Sequence, residues 1–199
     1  MKARRPIGRP RAFDPNRALD QALQVFWRKG YEGASLADLT KAMGINRPSM
    51  YAAFGAKEAL FCKALDRYMD GPVKFMREAL NEPTARRVVE RMLRGTCNVL
   101  GDPRNPAGCL AVQGALACSD EARRIRGELV SRRRQGEVAL RARLRRAKAE
   151  GDLPRSSSPA DLARYTMTVI HGMAVQGAGG ASRGELLRLV KTALRVFPQ

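Results

Sequence analysis

Residues 34 to 65, ASLADLTKAMGINRPSMYAAFGAKEALFCKAL, hold two short helices, each with its own start and stop signals, and a chain carrying them must fold around that unit. Ser35 is a good N-cap because its hydroxyl accepts from an unpaired N–H of the first turn, and Asp38 three residues on completes a carboxylate capping box. Leu36, Leu39 and Met43 then fall three and four apart on one face, and Gly44 offers the positive φ that ends the helix. Ile45 plugs the turn. Asn46 caps the next helix, Pro48 occupies its first turn where a missing N–H costs nothing, and Met50 and Phe54 hold it against the first. Arg47, Ser49, Tyr51 and Ala52 are left for the outer face.

An exposed helical turn with an arginine, a hydroxyl and an aromatic, presented by a helix-turn-helix, has the geometry that places side chains on base edges in a major groove. The same pattern also suits an ordinary helical hairpin inside an all-α core. Charge bears on the choice: Lys and Arg exceed Asp and Glu by 37 to 19, a formal net charge of +18 with a pI near 10.9. That imbalance suits a polyanionic partner, although an arginine-rich proteome also produces basic chains. Residues 1 to 13, MKARRPIGRPRAF, read as a cationic, proline-broken arm that can lie along phosphates or reach into a minor groove, the alternative being a merely disordered tail.

Upstream of the unit, Asp14 caps a helix that begins at Pro15, turns Leu19, Ala22, Leu23 and Phe26 inward, and closes at Gly30. Lys57 opens a longer helix that Gly71-Pro72 interrupts. At this point the chain resembles the TetR family of transcriptional regulators. The residues that carry the likeness are Gly8-Arg9-Pro10-Arg11, Phe26, Gly30-Tyr31, Ser35-Leu36, Gly44, Met50-Tyr51, Phe54 and Lys57-Glu58-Ala59-Leu60, and they cover about the first third. The resemblance implies an all-α homodimer with a three-helix DNA-binding domain, residues 1–55, and a divergent helical effector-binding and dimerisation domain, residues 56–199. It also implies that the outer face of the third helix reads bases while Tyr51 and Lys57 contact phosphates. The candidate DNA contacts are therefore Arg9, Arg11, Ser35, Arg47, Pro48, Ser49, Tyr51, Ala52 and Lys57. The position before Phe54 is often an aromatic or histidine in the family and is Ala53 here, so one backbone contact is expected to be missing.

The other two thirds stand on their own pattern. Glu82-Pro83-Thr84 precedes a helix on which Val89, Met92, Leu93, Thr96, Cys97 and Leu100 form one apolar stripe, residues 101–108 read as a loop, and CLAVQGALA reads as a buried central helix. Residues 121–150 read as one long helix with Ile125, Leu129, Gly136, Leu140, Leu144 and Ala147 inward. Arg132, Arg133, Arg134, Arg141, Arg143, Arg145 and Arg146 then fall on its other faces, expected to be solvated, with a second nucleic-acid surface as the alternative. Two final helices, at about 159–178 and 184–196, are apolar on more than one face, as a four-helix dimer interface needs. A charge at Leu187 or Val190 is expected to bury an unpaired ion across that interface.

No stretch of 18 apolar residues and no secretory signal is visible, so the expected location is the cytoplasm and no membrane partner is expected. The four cysteines, Cys62, Cys97, Cys109 and Cys118, contain no CxxC pair and the single histidine, His171, is far from them in sequence, which argues against a metal site or other cofactor. No carboxylate pair, nucleophile-base set or phosphate loop points to an enzyme. The expected function is a repressor released from a palindromic operator by a small-molecule or thiol-reactive effector; the alternative is an architectural protein that coats DNA without sequence preference. Cys109 and His171 are the effector candidates, with a hydrogen-bonded histidine of the dimer interface as the other reading of His171. Cys109 follows Gly108 at the start of the buried helix, where unpaired N–H groups favour a thiolate, although a small apolar plug is the commoner use of such a cysteine. Gly108-Cys109-Leu110 also resembles a segment of a TetR branch that includes electrophile-responsive repressors. A Cys109–Cys118 disulfide would require unwinding, because nine residues place them half a turn out of phase.

Overall fold

A computed structural model describes residues 13–116 and 122–198. Among the described residues every regular element is helical: α1 (Pro15–Gly33), α2 (Leu36–Met43), α3 (Arg47–Phe54), α4 (Lys57–Asp70), α5 (Phe75–Glu78), α6 (Ala85–Leu100), α7 (Leu110–Leu116), α8 (Arg123–Ala149), α9 (Pro159–Ala178) and α10 (Arg183–Val196). A 3-10 turn, Ala79–Asn81, follows α5. Asp14 and Asn46 cap their helices as expected, and Thr84 caps α6 as well. Asn16 N–H donates to the Asp14 carboxylate at 2.8 Å, Ser49 N–H to the Asn46 side chain at 2.9 Å, and Arg87 N–H to the Thr84 hydroxyl at 3.2 Å. Gly30, at φ 69° and ψ −177°, breaks the helical path of α1 just before its last turn. Ser182 and Glu185 form a second capping box at the start of α10, a signal the periodicity of that segment does not show.

The chain packs around two apolar clusters. The first joins Ala22, Phe26 and Trp27 of α1, Leu39 and Met43 of α2, Met50 and Phe54 of α3, and Leu60, Phe61, Leu65 and Tyr68 of α4. It continues into Leu110 and Ala111 of α7 and Ile125 and Leu129 of α8, so the helix-turn-helix unit shares its core with the beginning of the second half. The second cluster is built from α6, the later part of α8, α9 and α10. Large side chains such as Trp27, Tyr68 and Phe61 are almost fully buried, each contributing roughly 1.5–3 kcal/mol of transfer free energy or more. The short α5 has no counterpart in the sequence reading, because one turn after Gly71-Pro72 is too brief to show periodicity. It lies close on α6: a Cβ on Gly95 would sit 2.2 Å from the Phe75 ring.

Two expectations need correction. The arginines of α8 are not all on solvated faces: Arg132, Arg133 and Arg141 are half-buried, and Arg143 is 6% exposed, its guanidinium donating to the carbonyls of Leu80 (3.1 Å), Glu82 (2.8 Å) and Pro83 (3.1 Å). Arg143 collects the carbonyls left unpaired where the 3-10 turn ends, which fastens the α5–α6 connection to α8. Val190 is fully buried within a single chain, so it is not free for a second subunit, while Leu187 packs against the same cluster but keeps part of its surface exposed. The outer apolar positions of the last two helices are Val175 (50% exposed), Leu189 (38%) and Val196 (64%). Helical spacing alone does not tell which face of a two-faced helix looks inward.

Candidate nucleic-acid interface and effector cavity

The interface is assembled from the caps upward. Ser35 accepts from Asp38 N–H at 3.0 Å and donates its hydroxyl to the Asp38 carboxylate at 2.7 Å, so its side chain is committed to starting α2. Asp38 reaches back to α1 as well, through an ion pair with Lys29 at 2.8 Å. The Lys29 ammonium, then the Ser35 hydroxyl and backbone N–H, hold the Asp38 carboxyl down at about 2. The Gly44 turn, at φ 66° and ψ 30°, lets α3 cross α2, and Met50 and Phe54 fix its buried side. Arg47, Pro48, Tyr51 and Ala52 are all exposed along the opposite side, with Tyr51 46% exposed, and Ser49 is half-buried beside them. Arg47 makes no hydrogen bond or ion pair with any described residue. Its guanidinium therefore remains available to an outside acceptor.

Lys57 opens α4 with its ammonium 4.5 Å from the centre of the Tyr31 ring. Burial lowers its pKa, with Glu32 opposing that shift. Lys63 donates to the Phe54 carbonyl at 3.2 Å and closes the far end of α3. Arg9 and Arg11 lie outside the described residues, as does Cys118.

A second feature lies behind this surface. A cavity of about 550 Å³ is walled by the end of α4, α5, α6, the start of α7, α8 and α9, within the roughly 300–1,000 Å³ of pockets that hold small organic ligands. Its lining is largely apolar and includes both Cys109 and His171. Cys109 is half-buried immediately before α7, and its Sγ accepts the Tyr68 hydroxyl at 3.3 Å. Burial pushes the Tyr68 phenol well above its ordinary range, so it stays a donor. Tyr68 stands edge-on to Trp27, with ring centres 4.7 Å apart. The Trp27 indole in turn donates to the Gly108 carbonyl at 3.0 Å in a buried bond. Gly108 sits at φ 79°, and a Cβ there would lie 2.2 Å from the Gln113 side chain, so only glycine suits the position.

His171 makes no hydrogen bond or ion pair with a described residue. Burial first and the nearby Arg133 charge second lower its pKa, against Glu137, which keeps the imidazole neutral at neutral pH. The cavity thus brings together the two effector candidates, which are 62 residues apart in the chain. Sequence reasoning missed the Trp27–Gly108 bond and the Tyr68–Cys109 contact. Trp27 and Tyr68 look like any other buried aromatic when the polar end of each ring has no partner in view. Among the described residues no group of three or more His, Cys, Asp or Glu is placed to hold a metal ion. No helix there is long and apolar enough to cross a membrane.

Comparison with known proteins agrees with this geometry. The family model described as "Bacterial regulatory proteins, tetR family" matches residues 18–63. The transcriptional repressor ComR of Escherichia coli K12 is 34% identical over 194 residues, which is 96% of this chain and 92% of ComR. The repressor BdcR of the same organism is 34% identical over 126 residues, covering 62% of this chain and 64% of BdcR. A cysteine mutant of the TetR family regulator CifR, solved in complex with 26-bp double-strand operator DNA, is 43% identical. It superposes with a TM-score of 0.92 over 96% of this chain and 100% of that one.

Proposed function

The chain belongs to the TetR family of transcriptional regulators, and from that premise we propose that it is a homodimeric repressor of a palindromic operator, released when an effector occupies the cavity beside Cys109. It is a DNA-binding regulator of transcription and not an enzyme. Residues 1–55 are the DNA-binding domain of this reading and residues 56–199 carry effector binding and dimerisation. Arg47, Pro48, Ser49, Tyr51 and Ala52 face the major groove, Ser35 and Lys57 lie near phosphates, and Arg9 and Arg11 belong to the arm. Val175, Leu189 and Val196 meet their counterparts in a second subunit. The expected setting is the cytoplasm.

One observation carries the coupling. The peptide unit that delivers Cys109 to the cavity is tied by its Gly108 carbonyl to Trp27 on α1, the scaffold of the helix-turn-helix. A ligand that displaces the Cys109 side chain or its loop therefore acts on α1 through one peptide. Two half-sites on successive major grooves demand recognition helices about 34 Å apart. A hundredfold loss of operator affinity needs about 2.8 kcal/mol of effector preference for the misaligned state. A small adduct on Cys109, which would occupy the place of the Tyr68 hydroxyl bond, is one route to it. To test this, operator release by wild type and Cys109→Ser is compared over a dose series of a quinone, an aldehyde and hypochlorite. Release by wild type alone supports the thiol route. Equal release by both proteins, or by neither, excludes Cys109 as the sensor for those agents and leaves a noncovalent ligand in the cavity.

A further inference from the structure

We infer that the effector taken up by this cavity is an amphipathic organic acid, its carboxylate held by Arg133 with His171 beside it and its apolar body lying on the methionine-bearing walls. The inference rests on the reading of the cavity as the effector site and adds the chemistry of the ligand. Met69, Met76, Met92 and Met167 stand in the lining, and flexible thioether side chains adapt to an apolar body without demanding one shape.

The charges in the lining select the head group. Arg132 pairs with Asp66 at 2.7 Å and with Glu128 at 2.7 Å. Arg77 pairs with Asp70. Arg133 alone among the arginines of the wall has no hydrogen bond or ion pair with a described residue, although it is half-buried. Removing a guanidinium from water without an acceptor is unfavourable, and a carboxylate answers it with two parallel bonds. Glu137, the acidic neighbour of His171 on α8, is engaged by Arg164 at 3.4 Å. A neutral imidazole beside that carboxylate can donate one further bond without adding charge. Arg143, by contrast, already serves three backbone carbonyls.

The probes are decanoate and biphenyl-4-ylacetate, each beside its own primary amide, which has the same shape without the charge. Binding to the full-length protein is read by calorimetry and by the fluorescence of its single tryptophan, which lies next to the Cys109 loop. Operator release is measured in parallel. Wild type is expected to bind each acid about tenfold or more tighter than its amide, as a charged hydrogen bond supplies. Arg133→Gln is expected to bring the two within about twofold by weakening the acid alone. Arg133→Lys, which keeps the charge, should retain part of the preference; if Arg133→Gln loses both ligands, this variant decides, and failure to prefer the acid overturns the assignment. Equal binding of acid and amide by wild type, no saturable binding of either acid, or a preference that survives Arg133→Gln also overturns it. Acid binding that leaves the operator complex intact upholds the head-group assignment and contradicts the effector reading. Release by amides as strong as by acids does the reverse.

Discussion

Trp27→Phe isolates the bond that ties the DNA-reading scaffold to the cavity. The substitution keeps an aromatic ring against Tyr68 but removes the indole N–H that donates to Gly108 at 3.0 Å. The Gly108 peptide is buried, so its carbonyl is left without that donor, at a cost of about 1–3 kcal/mol. The smaller ring leaves a gap worth about 1 kcal/mol more. Together these amount to about 2–4 kcal/mol, seen as a urea midpoint lower by roughly 1 M. Because subunit association shifts apparent stability, both proteins are compared at one concentration, and helical circular dichroism replaces fluorescence since the variant has no tryptophan. A midpoint within about 0.2 M of wild type would mean that the bond contributes little in solution, and the proposed path from Cys109 to α1 would lose its physical basis.

Arg47→Ala is expected to cost about 1–3 kcal/mol of operator binding and to relax preference at one base pair of each half-site; equal weakening on all sequences, measured by competition binding, would make Arg47 a phosphate contact instead. Leu189→Asp should dissociate the dimer in sedimentation while the helical signal persists, whereas Val190→Asp, which buries a charge inside one chain, should unfold it; a Val190→Asp protein that is folded and merely monomeric would reverse this division. Asp38 has a carboxyl at about 2 in the folded chain against an ordinary 3.8. Its contribution to stability is therefore present above about pH 4 and lost as pH falls toward 2. Asp38→Asn should flatten that part of the acid-unfolding curve, and an unchanged curve would show that the Lys29–Asp38 pair is not formed.

The DNA-reading half was legible in sequence because its signals are local. Ser35, Asp38, Gly44 and Asn46 act on backbone within a few residues of themselves, and the structure places each in the role its chemistry dictates. The second half depends on which helix covers which face, and that information is not local. Arg143 looks like its exposed neighbours until the carbonyls around Pro83, some 60 residues away, come into contact with it. Val190 and Leu189 differ by one position, 100° on a helix, and only the packing of α10 against α6 and α9 shows which of them is buried. The cavity was legible only as candidates: Cys109 was marked by its place after Gly108 and His171 by being the single histidine, but no spacing rule joins them. Tyr68 and Trp27 entered the site through side-chain hydrogen bonds spanning 41 and 81 residues.

The ratio of affinities for a palindromic operator and for a scrambled duplex of equal length, measured at physiological salt, tests the central claim most directly. The chain's +18 charge favours binding to any DNA at low salt, so only the ratio discriminates. A sequence-specific repressor should hold the operator at least about a thousandfold more tightly than the scrambled duplex. A ratio near one, with both affinities falling together as salt rises, would contradict the account and make the protein a non-specific coat for DNA.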